Sequence, residues 1–139
     1  MKIFILFFLI FTNSYSQDFT GKWKIISLED KTVYVNKLTD SIYIKDSKNK
    51  TTVEEFRKMS EQFIYPTTFI FSENGDFESY NPVEGTSKGN FVIDREKKTL
   101  TIIETNGKRN EAIFSFNNGI LFLQPIKENG ETKIGFIKE

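Results

Sequence analysis

The sequence predicts an all-β domain, an antiparallel up-and-down β-barrel of about eight to ten strands with one short α-helix. Three observations predict it: short segments of alternating apolar and polar residues recur from Gly21 onward, turn residues separate them, and one stretch has helical spacing. Connections in the second half are short, so consecutive strands should be neighbours. Such a meander closes most simply into a barrel, which removes exposed edges. A β-sandwich fits the same pattern.

The N-terminal residues 1–16 have the pattern of a signal peptide. A lysine supplies positive charge, an unbroken apolar run follows, and two serines stand at the small-residue positions before the expected cleavage site. The run is shorter than the roughly 20 apolar residues of a membrane-spanning helix. A lipoprotein signal requires a cysteine, and the sequence has none. We expect cleavage before Gln17 and an exported domain over 17–139, periplasmic or secreted, without a lipid anchor or an integral membrane segment.

The first half of the domain should contain two or three strands and the helix. The first strand runs from Gly21 to Leu28, and one or two more are expected between Lys31 and Lys45. The helix is expected over 53–63. It is preceded by a capping box in Thr52-Val53-Glu54-Glu55, carries apolar residues at helical spacing and ends before a proline. Its role is either a lid that controls access to a cavity or a plug in the open end of the barrel.

The second half should consist of hairpins. Asn74-Gly75 separates two alternating segments and predicts a type I′ turn, because both central residues of that turn need a positive φ. The remaining strands are expected at Phe91–Asp94, Thr99–Ile103, Glu111–Phe116, Ile120–Gln124 and Thr132–Lys138, with Glu128-Asn129-Gly130 turning into the last.

Composition excludes several classes of function. The 19 basic and 19 acidic residues balance, so we expect no nucleic-acid partner, which would favour a clustered basic face. There is no histidine and no cysteine, which removes the usual general base, the thiol nucleophile and the common zinc ligands. Carboxylates stand mainly at turns. We therefore expect no enzyme, no cofactor and no metal; the one enzyme class left open is a hydrolase with two carboxylates in a cleft.

Phenylalanines are the candidate ligand contacts. They alternate in pairs along several expected strands, and alternation places each pair on one face, most simply the barrel interior. An eight-stranded barrel can be filled by its own side chains or can hold one small ligand. So many large side chains favour a filled interior, and a compact aromatic pocket is the alternative. The candidate contacts are Phe69, Phe71, Phe91, Phe114 and Phe116.

The start of the first strand, Gly21-Lys22-Trp23, resembles the G-x-W motif of calycins. With the capped helix, the hairpin over 68–75 and the run 89–102, the chain resembles the small lipocalin-like domains that Gram-negative bacteria export. This resemblance implies a barrel in which Gly21 and Trp23 form a structural plug at the closed end. It also implies that the protein binds small apolar molecules.

The chain also departs from the related families. The lipocalin T-D-Y motif has no counterpart, since Thr39-Asp40 precedes a serine. Lipocalins stack a late arginine on the tryptophan, and Arg109 is the only candidate here. Fatty-acid-binding proteins hold a carboxylate with buried arginines, and this sequence contains few arginines.

Three functions remain on the sequence alone. The first is an exported binding protein for a small hydrophobic or amphipathic ligand, which requires an apolar cavity. The second is a non-enzymatic structural or interaction module with a filled barrel, whose partner would be another exported protein or an envelope polymer. It would show an exposed apolar patch. The third is the carboxylate-dependent hydrolase.

Overall fold

The computed structural model of the protein describes residues 19–126 and 132–139. The expected signal peptide, 1–16, and the expected turn at 128–130 lie outside the described residues. The strands are β1 (Gly21–Glu29), β2 (Val33–Asn36), β3 (Ser41–Ile44), β4 (Thr68–Phe71), β5 (Asp76–Asn81), β6 (Gly85–Asp94), β7 (Thr99–Glu104), β8 (Arg109–Asn117), β9 (Ile120–Pro125) and β10 (Lys133–Lys138). One helical segment consists of α1 (Val53–Met59) and a π-helical turn (Ser60–Ile64).

Eight of these strands close into an antiparallel barrel. Strands β4 to β10 are neighbours in chain order, β10 pairs with β1, and β1 pairs with β4. This confirms the predicted all-β, up-and-down barrel with one short helical segment and rules out a sandwich. The β2–β3 hairpin extends the sheet from β1 and lies outside the closed circle.

Strand β1 divides its second edge between two partners. One edge pairs with β10 along Trp23–Glu29. On the other edge, Gly21–Lys24 pairs with β4 and Ser27–Glu29 pairs with β2. The register with β10 shifts between Ile25 and Ser27, which is a β-bulge and bends the strand. The bend directs the second half of β1 away from β4 and into the hairpin.

Aromatic rings fill the end of the barrel at which β1 begins, called here the aromatic end. Trp23 is 3% exposed, and its indole N–H donates a hydrogen bond of 2.8 Å to the Phe19 carbonyl. The Phe19 ring makes edge contacts with Phe71, Phe114 and Phe116 at centroid distances of 5.7, 4.9 and 5.2 Å. These geometries suit the ring quadrupoles, so the aromatic end is a packed core.

The cation above Trp23 comes from the last strand. Lys138 Nζ lies 5.4 Å from the centroid of the Trp23 ring, in cation–π geometry. Gly21 stands beside this lysine with φ +132°, and a Cβ there would lie 2.7 Å from Lys138 Cε. Arg109, the only candidate from the sequence, lies at the opposite end of the barrel beside Glu111, 3.1 Å away.

The helical segment packs on the β2–β3 hairpin. Its capping box is confirmed: Thr52 accepts from the Glu55 backbone, and the Glu55 carboxylate accepts from the Thr52 N–H. Only Phe56 of α1 is buried, against Val33 and Val35. Helix α1 therefore covers the hairpin, and only the π-helical turn that follows it reaches the barrel, where Phe63 and Ile64 line the interior.

The expectation of a regular helix over 53–63 is wrong from Ser60 onward, and two residues of its expected apolar face, Val53 and Met59, are 42% and 39% exposed. Phe63 is 44% exposed, whereas Ile64 and Tyr65 pack against both apolar clusters of the protein. The π-helical turn from Ser60 explains the difference, because its wider turn moves the inward positions along the chain. The buried Ser60 hydroxyl donates to the Phe56 carbonyl at 2.7 Å.

The type I′ turn occurs at a different hairpin from the predicted one. At Asn74-Gly75 only the glycine has a positive φ, +92°, and the loop spans four residues, 72–75. The Asn74 side chain accepts the Asp76 N–H at 3.1 Å, which stabilises this longer loop. Asn118 and Gly119 both have positive φ, 53° and 79°, and join β8 to β9 as a two-residue turn. This is type I′ geometry.

Asp30 organises the turn between β1 and β2. One of its carboxylate oxygens accepts the backbone N–H groups of Thr32 and Val33 at 2.8 and 2.9 Å and the Thr32 hydroxyl at 2.9 Å. Burial opposes ionisation, but these hydrogen bonds and the charge of Lys45 together lower the pKa of Asp30 below its ordinary 3.8. The charged form therefore stabilises the turn.

Removal of Trp23 should be costly to the fold. Trp23→Ala leaves a void in the aromatic end and frees the Phe19 carbonyl, so it should lower the free energy of unfolding by about 3–5 kcal/mol. Trp23→Phe keeps a ring and should lose less. Urea unfolding followed by circular dichroism measures both, and a loss below about 1 kcal/mol for the alanine variant would contradict the plug.

Removal of the Asp30 carboxylate should have a pH-dependent cost. Because the folded pKa lies below the unfolded one, the stabilisation is present above pH 3.8 and is lost as the pH falls through the folded pKa. Asp30→Ala should lower stability by about 1 kcal/mol at neutral pH and by less near pH 3. Denaturant unfolding at both pH values tests this, with Asp46→Ala in the exposed loop after β3 as the control. A loss that grows on acidification would be the wrong sign.

Candidate ligand cavity

A cavity of about 540 Å³ occupies the half of the barrel opposite the aromatic end. Its floor is apolar and rests on the aromatic end, since the Phe69 ring contacts the rings of Phe71, Phe77 and Phe136. The floor side chains are Phe69, Phe77, Leu100, Leu123 and Phe136. The volume falls in the range of about 300–1,000 Å³ that is typical of small-molecule sites.

The mouth of the cavity is polar. It is lined by Thr67, Ser79, Asn81, Glu84, Glu104, Lys108, Asn110 and Glu111. The change from apolar floor to polar mouth occurs along the length of individual strands. On β7, Leu100, Ile102 and Glu104 face inward in succession, because alternate residues of a strand share one face.

The end of the helical segment forms one side of the mouth. Phe63 and Ile64 both line the cavity. The Asn81 side chain, at the end of β5, donates to the Phe63 carbonyl at 3.2 Å and to the Thr67 hydroxyl at 2.7 Å. These two bonds fix the helical segment to the barrel wall.

Two of the mouth carboxylates have different partners. Glu104 Oε1 accepts a hydrogen bond of 2.9 Å from the Ser87 hydroxyl. Glu111 Oε1 lies 3.1 Å from Arg109 Nε in an ion pair. Within residues 19–126 and 132–139, no three or more acidic side chains are grouped so that they could hold a metal ion.

A second, smaller cleft lies where the helical segment meets the β2–β3 hairpin. Its volume is about 70 Å³, and Asp40 and Arg57 form an ion pair in it. Burial, and to a lesser degree the charge of Asp40, raises the pKa of the Tyr65 hydroxyl, which also lines the cleft. The ion pair links the helical segment, through Arg57, to Asp40 in the turn between β2 and β3.

The predicted ligand contacts are distributed over the interior, and one of them lines the cavity. Phe69 is that residue. Phe71 and Phe114 are buried in the aromatic end, and Phe91 packs on Phe71 at a centroid distance of 4.9 Å. Phe116 is 40% exposed at the rim beside Trp23. The role of these five residues in ligand binding stays a prediction.

The barrel interior is therefore filled in one half and open in the other. The filled interior that the sequence favours is present in the aromatic half, whereas the other half holds the cavity. The sequence reasoning missed Glu104 and Asn81. Alternation over Leu100, Ile102 and Glu104 could have placed Glu104 inside, but no sequence signal marks Asn81.

Among the described residues, no helix has both the length and the apolar character needed to cross a membrane.

No protein-family model matches the sequence, and no curated protein matches it either. Solved structures do match. A DUF4847 family protein from Bacteroides vulgatus ATCC 8482 is 20% identical, with a TM-score of 0.59 over 87% of this chain and 94% of that one. A lipocalin-like protein from Bacteroides uniformis ATCC 8492 is 14% identical, with a TM-score of 0.52 over 88% and 99%.

A third match is the NMR structure of a protein from Bacteroides uniformis ATCC 8492. It is 12% identical, with a TM-score of 0.51 over 88% of this chain and 90% of that chain. Likeness at such identities concerns the fold alone. Together with the closed eight-stranded barrel, these matches show that the protein has a lipocalin-like fold.

Proposed function

We propose that this protein is an exported, non-enzymatic binding protein that holds one small apolar or amphipathic molecule in the barrel cavity. The observation that carries the proposal is the cavity itself: about 540 Å³ of space inside the barrel, with an apolar floor and a polar mouth. Lipocalin-like barrels offer an interior of this size to a single ligand.

The floor supplies the affinity in this proposal. Burial of apolar ligand surface against it contributes about 25 cal/mol per Å². The floor rests on the packed rings of the aromatic end, so it is fixed before the ligand arrives. A preformed site loses less conformational entropy on binding than one that must be ordered. The interaction module would use a filled barrel, and the cavity favours the binding protein instead.

Export and the absence of catalysis rest on the sequence. Residues 1–16 have the pattern of a signal peptide, and the chain contains no histidine or cysteine to act as base or nucleophile. The lack of cysteine also means that the barrel is held by its core and not by disulfides.

Filling the cavity should weaken binding without unfolding the barrel. Ala112 lines the cavity, so Ala112→Phe places a ring in empty space. Ile113→Phe, on the outer face of the same strand and 46% exposed, is the matched control. Titration with N-phenyl-1-naphthylamine, an uncharged fluorescent probe, should show saturable binding to the wild type and to Ile113→Phe. Ala112→Phe should bind at least about tenfold more weakly, a loss of about 1.4 kcal/mol.

Circular dichroism should show that both variants remain folded. Equal binding by Ala112→Phe and Ile113→Phe would place the probe outside the cavity and contradict the proposal. If the cavity variant loses binding, native mass spectrometry of the protein purified from its own host, followed by organic extraction, would identify the natural ligand.

A further inference from the structure

Glu104 faces the cavity from the end of strand β7. It follows Leu100 and Ile102 on the inner face, and all three line the cavity. Its partner across the sheet is Gly89 of β6, which has no side chain to cover it. A Cβ on Gly89 would lie 2.1 Å from the Ile103 carbonyl oxygen, so the close approach of β6 and β7 requires glycine there. Glu104 is half-buried, at the level where the apolar floor gives way to the mouth.

The Glu104 carboxylate has unused acceptor capacity. Its one hydrogen bond among the described residues comes from the Ser87 hydroxyl, and a carboxylate can accept about four. It forms no ion pair with any described residue, whereas Glu111 is paired with Arg109. The remaining acceptor positions of this carboxylate are open to a ligand. A donor or cation on the ligand would occupy them.

The charges around the mouth favour a cation over an anion. Glu84, Glu104, Glu111 and Lys108 are the charged residues that line the cavity. Arg109 offsets Glu111, which leaves two carboxylates and one ammonium. Like charge in a confined mouth disfavours an anionic head group and opposite charge attracts a cationic one.

From this geometry we propose that the ligand is an amphipathic amine, with its apolar part on the floor and its positively charged head on Glu104. The proposal rests on the proposed function, since it names the class of molecule that the same cavity takes. The floor can contact any apolar group of suitable size. Glu104 determines which head group is preferred, because an ammonium N–H can donate to its carboxylate in a charge-assisted hydrogen bond.

Three probes that differ only in their head group test the proposal. Decylamine, decanol and decanoate share one alkyl chain and are positive, neutral and negative at neutral pH. Isothermal titration calorimetry below the aggregation concentration of each should give decylamine at least about tenfold tighter binding than decanol. Decanoate should bind most weakly, and added salt should reduce the preference for the amine.

Glu104→Gln keeps the shape and the Ser87 contact but removes the charge. It should reduce decylamine binding about tenfold or more and decanol binding much less, because the glutamine amide oxygen can still accept a hydrogen bond from a hydroxyl but no longer pairs with a cation. Glu78→Gln is the matched control, because Glu78 lies between Phe77 and Ser79 on β5 and points to the other face of the strand. It should leave all three probes unaffected.

The outcomes separate the two proposals. If decanol binds and decylamine shows no preference, or if Glu104→Gln binds decylamine as the wild type does, the amine proposal is overturned and the cavity remains a binding site. Tighter binding of decanoate would also overturn it. If none of the three probes binds, both proposals fail.

Discussion

The fold depends on one constraint, that β1 has two edges and three partner strands. One edge is occupied by β10, so β4 and β2 must share the other, and the bulge at 25–27 is where the change occurs. The barrel wall is continuous between β1 and β4 at the aromatic end and opens beyond the bulge. The helical segment and Thr67 stand at this opening, where the Thr67 carbonyl accepts the Ile25 N–H at 3.3 Å. The mouth of the cavity is a consequence of how the barrel closes.

A gradient of side-chain size along the inner face then separates core from cavity. At the aromatic end, the strands carry phenylalanine and tryptophan, whose rings lie within about 6 Å of one another and leave no space. Toward the mouth, the same inner faces carry serine, asparagine and alanine at Ser79, Asn81 and Ala112. Small side chains cannot meet across an eight-stranded barrel, so space remains. The packed half fixes the strands that form the open half.

The candidate site was predictable only in part. Aromatic alternation correctly indicates which residues face inward, and Phe69 illustrates this. It does not indicate depth along the barrel, which is why Phe71, Phe91, Phe114 and Phe116 belong to the core or the rim. Depth depends on the stagger of each strand against its neighbours, and the sequence of one strand does not contain that information. The sequence around Glu104 indicates only the end of a strand beside a turn. The closed barrel is what places this residue over an apolar floor.

The sequence by itself determined the features that short-range interactions control. Period-two alternation produced the strands, the glycines produced the reversals, and Thr52 with Glu55 produced the helix start, because each requires only neighbouring residues. Tertiary structure decided the rest: the four-residue loop at Asn74, the π-helical turn after Met59, the lysine over Trp23 and the position of the cavity. Each of these depends on which distant segment lies alongside, and that is fixed only when β10 and β4 both pair with β1 and the barrel closes.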